Sequence, residues 1–491
     1  MRTTRIGTAA ILLVIILSLL TWKRNEFTNY LPSDYLPEEV PEKVPEANNY
    51  FHTDETQRIQ LAKVIQEFVD RPIQTWDEAV KLNSQTCPTE GINYDKGAVE
   101  ENDQKWRAIP STQISDWRHA IAAHLYSKHR EEKASLDKRH EDLAVPSDGI
   151  AKEIKSGRGI VMAAGDRAAA IRARTNTRLL RSYNCTLPIE IFHFSSELSE
   201  PDKSLLEDLS QLESNSKVTI RLVQGIEKGN GWKAFQIKGA AIQQSSFDEI
   251  LYLDTDSYPL RNPEDLFKSK HWKETGLLLW PDYTKSHATN PLWRLLGQQC
   301  RDEYEGESGQ IFISRSRHQD VLWLVEYFAV HHEEFYGFMG GDRDSFRAAA
   351  LLLNKPWAGP GRLNAAAGVV FEGNVNGGGH TMLQADMDGK WMFVHANLIK
   401  HSQFTQRPLW KTIHRAANDK FVNGKTYGSV EKPNDRLGLG VSLHVDPTPR
   451  MVTIMKAMEG YDAGVVVVEE WDKYEELRGF EEKWFGFGGV H

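Results

Sequence analysis

Asp254-Thr-Asp256 follows directly on the apolar run Ile250-Leu-Tyr-Leu253 in the stretch FDEILYLDTDSYPL. Such a run reads as a buried strand, and an unpaired carboxylate is costly to bury. Two carboxylates just past a strand end offer hard oxygen ligands to one divalent ion, with coordination positions left for phosphate oxygens. An ion bridging a diphosphate offsets the charge that grows as a nucleoside diphosphate departs. The chemistry implied is group transfer from a nucleotide-linked donor. Asp is also an ordinary turn residue, and the tripeptide taken alone reads as a turn. A phosphatase of the haloacid-dehalogenase type places Asp-x-Asp after a strand too, but this chain has Tyr258 where that motif takes Thr or Val, and three βα units come first.

The segments that must position these carboxylates alternate in type. Gly159–Gly165, Pro188–Phe194, Val218–Val223 and Glu249–Asp254 read as strands. Helices are predicted from the first strand to about Tyr183, over Pro201–Glu213 and over Gly231–Ser245. Alternation of this kind predicts parallel βαβ units, an α/β fold with a Rossmann-like sheet, and ligands at the carboxyl ends of the strands. The loop Ala163–Asp166 then opens on the same sheet edge as Asp254 and Asp256. Weaker strands are expected at Leu277–Trp280, Ile311–Ser314 and Met392–His395, with Glu307–Gln310 preceding the second of these. Gly373–His380, rich in Gly and Asn, reads as a hairpin connection or lid. Phe51–Val69 has the spacing of an amphipathic helix, His129–Asp142 is a charge-rich helix face with no assigned function, and the C-terminal EEWDKYEELRGFEEKWFGF reads as one helix.

The chain has 491 residues and a formal net charge of -9, which argues against a nucleic-acid binder, whose binding face would be basic. Arg2 and Arg5 precede the apolar run Ile6–Trp22, and Lys23 and Arg24 follow it. No small-x-small cleavage site ends the run, so an uncleaved signal anchor is expected, with the remainder lumenal. The run is short for a spanning helix and suits a thin bilayer of the early secretory route. Pro32, Pro37, Pro41 and Pro45 favour an extended stem. Asn184-Cys-Thr186 is a glycosylation sequon. Cys87, Cys185 and Cys300 allow one disulfide and one free thiol, with the pair left open. The expected organisation is a cytosolic tail (1–5), anchor (6–22), stem (23–50), helical region (51–155), catalytic domain (156–400) and a C-terminal region packed on it (401–491).

GRGIVMAAGD with LPIEIFHF, then GWKAFQIKGAAIQQSSFDEILYLDTDSYPLRNPEDLF, ESGQIFISR and GDRDSFRAA form an ordered set over roughly residues 155–400. Together they resemble the fungal Golgi α-mannosyltransferases of glycosyltransferase family 71, which add α-1,2 or α-1,3 mannose to cell-wall mannan. The resemblance implies a GT-A fold, a Golgi membrane protein of type II topology, GDP-mannose as donor, Mn2+ or another divalent cation, retention of the α configuration, and a mannosylated glycan or glycoprotein acceptor. An oligomer, homomeric or with other subunits, is compatible with it.

By the same resemblance, Asp254 and Asp256 hold the metal and His395 completes its coordination. Gly165, Asp166, Lys238 and Lys400 approach the donor, and Gly309 and Gln310 line the sugar pocket. Retaining transfer takes either a carboxylate nucleophile or attack from the leaving-group face. Glu307, Asp342 and Asp344 are the nucleophile candidates, and the residues do not choose among them. Each has an ordinary reading beside it: Asp342 as a helix N-cap, His395 as a strand-end histidine bonded to backbone, Arg174 and Arg181 as exposed helix arginines, and most of the fourteen tryptophans as core. A non-catalytic relative acting as a glycan-binding or complex subunit is the alternative function. Such a relative would be expected to lose the aspartates, and this chain retains both.

Overall fold

The computed structural model describes residues 54–87, 96–143, 157–195, 197–212, 217–229, 231–301, 303–369, 379–396, 407–416, 419, 426–427 and 466–489. The expected anchor and stem, Lys400 and most of the Gly373–His380 loop lie outside them. Among the described residues, no helix is long and apolar enough to cross a membrane. The chain divides into two units, residues 1–67 and 68–491. Of the first, the structure describes residues 54–67, within a helix that runs Asp54–Asp70.

The second unit continues with helices Trp76–Asn83, Lys96–Arg107 and Ser111–Leu143. The expected βαβ series follows: β1 (Arg158–Ala163), β2 (Ile189–His193), β3 (Val218–Leu222) and β4 (Glu249–Leu253). β5 (Ser257–Pro259), β6 (Leu277–Lys285), β7 (Tyr304–Ser314) and β8 (Trp357–Ala358) come next. Then come β9 (Ala365–Val369), β10 (Gly379–Ala385), β11 (Trp391–His395), β12 (Trp410–Ala416), β13 (Thr426–Tyr427) and β14 (Val466–Glu470).

The strands form two sheets. One has eight strands in the order β13-β8-β6-β7-β4-β1-β2-β3, and the other has six in the order β14-β12-β9-β10-β11-β5. β3, β2, β1 and β4 are parallel, as the βαβ pattern requires, whereas β7 runs antiparallel to β4. Ile250, Leu251, Tyr252 and Leu253 of β4 are all buried, each such side chain contributing roughly 1.5–3 kcal/mol. The first sheet shares its core with the helices beside it, including Ala170, Ala173 and Leu180 of helix Arg167–Ser182.

Three expectations change. Glu307–Gln310 lies inside β7, because that strand is longer than its apolar end, Ile311–Ser314, suggested. The C-terminal segment is strand β14, two short 3-10 turns and a helix at Phe480–Gly486, since its spaced Trp471, Leu477, Phe480 and Trp484 plug the second sheet's core. Residues after 400 are also not a separate layer: β12 pairs with β9, so the second sheet is woven from both sides of that boundary. Cys87 is bonded to Cys300, while Cys185 is free and buried. Trp106, Trp280, Trp293, Trp391 and Trp410 are fully buried core residues, the ordinary reading of the tryptophans.

Candidate active site

The aspartates sit where the chain leaves one sheet for the other. The Asp254 amide donates to Gly309 O at 2.8 Å, which ties the end of β4 to β7. The Ser257 amide donates back to Asp254 O at 3.0 Å, closing a turn that launches β5 into the second sheet. There β5 pairs with β11 in a register that sets Ser257 opposite His395. The Ala396 amide on Asp256 O at 2.8 Å, and Asn176 Nδ2 on Ser257 O at 2.7 Å, hold the turn from either side. Strand register therefore brings to Asp254 and Asp256 an imidazole from far along the chain.

One ligand atom each from Asp254, Asp256 and His395 lies within 4.8 Å of the others. Asp256 and His395 are buried, while the Asp254 side chain keeps 28% exposure, so the cluster opens to solvent at Asp254. Two carboxylate oxygens and one imidazole nitrogen suit a divalent ion of the Mn2+ or Zn2+ kind, and the residues present fit the cation implied by the sequence.

His395 stands between two carboxylates, with Nε2 3.6 Å from Asp256 Oδ1 and Nδ1 3.1 Å from Glu307 Oε2. Burial alone would lower its pKa, but Glu307 and Asp256 together push it up to about 10. Burial would raise Glu307, and the facing imidazole pulls it down instead, to about 2. Glu307 Oε2 also accepts the Gly309 amide at 2.9 Å. The pairing of β6 with β7 jumps from Ile311 to Glu307, leaving Ser308, Gly309 and Gln310 bulged beside the site. Gly309 has to be glycine here, since a Cβ would lie 2.5 Å from His395 Cε1 and 2.8 Å from Glu307 Oε2. Gln310 is fully buried and accepts from Ser257 Oγ at 2.9 Å through Oε1.

Lys238 joins the other carboxylates. Its ammonium lies 3.2 Å from Asp254 Oδ2 and 2.9 Å from Asp342 Oδ2, and donates to Ser308 O and Oγ at 2.8 and 2.7 Å. Burial would depress its pKa, but Asp254 and Asp342 raise it, so the group is a fixed cation. With three protons shared among four acceptors, Lys238 ties Asp254, Asp342 and Ser308 together. Tyr252 Oη donates to Asp254 Oδ1 at 2.9 Å, and the low-dielectric surroundings push the Asp254 carboxyl upward.

The match to known proteins falls on this region. A family model described as "Mannosyltransferase putative" matches residues 157–302 and 296–373. The match takes in less than half of the chain and is a likeness to that family. An alpha-1,2-mannosyltransferase of Candida albicans (MNN2) is 26% identical over 263 residues, covering 43% of this chain and 43% of that one. An alpha-1,2-mannosyltransferase of Saccharomyces cerevisiae (MNN2) is 30% identical over 270 residues, covering 45% and 44%. The chain thus spans less than half the length of these curated relatives. A solved bifunctional glycosyltransferase, WbbM, superposes with a TM-score of 0.31 at 9% identity over 56% of this chain and 58% of that one, a likeness too slight to argue from.

Asp254, Asp256, Lys238, Asp342, Glu307, Gly309 and Gln310, all inside the matched residues, are brought together with His395, which lies beyond them. Other expected residues are not. Asp344 is fully buried, accepts the Gly306 amide at 2.5 Å and pairs both oxygens with Arg347 at 2.7 Å. It holds the loop to β7, a structural task instead of the chemical one expected. Asp342 is not the N-cap of the following helix, Ser345–Leu352, whose N-cap position is Asp344. Asp166 caps helix Arg167–Ser182 by accepting the Ala169 amide at 2.7 Å, and a Cβ on Gly165 would meet Glu197, so both serve the loop's shape. Arg181 donates to Cys185 O and Leu187 O, and Asn184 is exposed in the left-handed region at φ 60°. Sequence reasoning missed Tyr252, while Ser308 falls inside the Glu307–Gln310 segment it singled out. Tyr252 was within reach, because alternation along a strand puts it on the same face as Asp254.

Proposed function

We propose that this protein is a retaining, metal-dependent α-mannosyltransferase of GT-A type that uses GDP-mannose and extends mannose-terminated glycans, α-1,2 linkage being the form named in its relatives. The observation that carries this reading is the convergence of Asp254, Asp256 and His395, beside the Lys238–Asp342 pair, in a chain whose residues 157–373 match a mannosyltransferase family model. When bound, a divalent cation would neutralise the diphosphate as it leaves; Asp254, Asp256 and His395 are the residues that would hold it.

The chain's own residues supply the rest by position. Lys238 fixes the Asp342 carboxylate at the edge of the cluster, where it can accept hydrogen bonds from sugar hydroxyls and favour positive charge developing on the sugar ring. The bulge Ser308–Gln310 forms a buried wall beside it. Leaving-group-face attack needs no nucleophile, and Asp342 is the carboxylate of the original three best placed if one acts. Lodging in the Golgi membrane through Ile6–Trp22, with the catalytic domain lumenal and Asn184 glycosylated, belongs to the same proposal.

The test is incubation of the purified protein with a panel of nucleotide sugars, Mn2+ and mannobiose. Transfer from GDP-mannose alone, lost with EDTA and giving an α-linked product, is the expected result. Lack of transfer from every donor, with acceptor glycan still bound, would favour the glycan-binding alternative.

A further inference from the structure

We propose that Glu307 is a positioning residue that sets the tautomer and aim of His395, and is not the nucleophile of the transfer, resting on the reading that Asp254, Asp256 and His395 hold a divalent cation. A cation taken up at Nε2 would displace the proton that the flanking carboxylates otherwise keep there, and the neutral imidazole left carries one N–H and one lone pair. The only arrangement that offers Nε2 to a cation beside Asp256 places the proton on Nδ1, and Nδ1 lies 3.1 Å from Glu307 Oε2. A carboxylate accepting that proton fixes the ring and raises its basicity, a role conserved in kind across histidine-bound metal sites.

Glu307 is itself held for the task. Its side chain is 10% exposed, and the same Oε2 that faces His395 also accepts the Gly309 amide at 2.9 Å. Oε2 is committed to both partners, so a nucleophilic role would fall to Oε1 alone, and the Glu307→Gln variant below tests it. The missing side chain of Gly309 lets the bulge close on the pair, since a Cβ there would strike both His395 and Glu307. β7 supplies the acceptor and β11 the imidazole, so the pair also pins the two sheets in the register that assembles the site.

The two roles separate with Glu307→Gln and Glu307→Leu in the full-length protein. Mn2+ affinity is measured by electron paramagnetic resonance of the free ion, transfer rate as a function of Mn2+, and folding by thermal melting. A glutamine carbonyl can still accept from Nδ1–H, so Glu307→Gln should bind Mn2+ within about threefold of wild type and keep most of its turnover. Glu307→Leu should weaken Mn2+ binding by roughly 10–100-fold, with turnover recovering at saturating Mn2+. His395→Ala should show the same weakening, as a control for the ligand itself. Loss of turnover in Glu307→Gln with unchanged Mn2+ affinity would overturn the proposal and return Glu307 to the nucleophile role; that variant is isosteric and decides the matter even if the leucine variant fails to fold. Unchanged affinity in a folded Glu307→Leu would overturn it as well. A wild-type protein that binds no divalent cation would instead overturn the metal-site reading itself, a result distinct from either.

Discussion

Asp254 and Asp256 have different neighbours despite their spacing. Asp254 is partly exposed and already tied to Lys238 and Tyr252, whereas Asp256 is buried against His395. Replacing either with Asn keeps shape and most hydrogen bonding while removing the charge a cation needs. Each variant should therefore fold normally by circular dichroism and lose about 100-fold or more of its transfer rate. Full activity in both would remove the metal-site assignment. The two should differ in stability: Asp254→Asn leaves buried Lys238 paired with Asp342 alone, so its melting temperature should fall further.

Elements, more than single side chains, set the spacing of the site. The β7 bulge and the β5–β11 register meet at Gly309, which makes that glycine a test of the whole junction. Gly309→Ala should push His395 and Glu307 apart, lowering activity at least about tenfold while costing little global stability, because the surrounding strands stay paired. Asp344→Ala should do the reverse. It removes one of buried Arg347's two carboxylate partners, Glu303 remaining, and the acceptor from the Gly306 amide, a loss of about 1–3 kcal/mol. Denaturant midpoints should show a large loss, with activity at low temperature surviving in whatever fraction remains folded.

At the scale of the molecule, two features govern stability away from the site. The Cys87–Cys300 bond joins residues 213 apart in sequence, tying the helical region to the segment ahead of β7. In the loop-entropy account, closing so long a loop contributes about 5 kcal/mol. Reduction should lower the melting temperature markedly, while Cys185→Ser leaves the disulfide intact. The second feature is a pair of buried neutral histidines. Burial, with Lys355 nearby, lowers His318 to about 3; burial, with Arg343, lowers His287 to about 4. Both folded values lie below the ordinary 6.5, so the unfolded chain binds more protons on acidification. Their stabilisation is complete above pH 6.5 and is lost as pH falls toward 4 and 3. Between pH 7 and 5 each should cost about 2 kcal/mol, read as a falling urea midpoint. His318→Gln, which can still donate to Thr275 O, should flatten that slope.

Local order was legible in the sequence. β1 and β4 carry unbroken apolar runs, as burial on both faces of a parallel sheet demands, while β2 and the edge strand β3 admit Glu190, Thr219 and Arg221. The chemistry of Asp254 and Asp256 was legible for the same reason, because carboxylates at the end of such a strand have no local partner to explain them. Contacts between distant segments were not legible. That Glu307 bonds His395, that Lys238 joins Asp254 to Asp342, that Asp344 serves Arg347 and that Cys87 meets Cys300 all follow from which strands pair and in what register. Register depends on the summed packing of two sheets, and no run of neighbouring residues encodes that sum. Fold class and the side chains able to do chemistry are local properties of the chain, whereas which of those groups face one another is a property of how its two sheets pack.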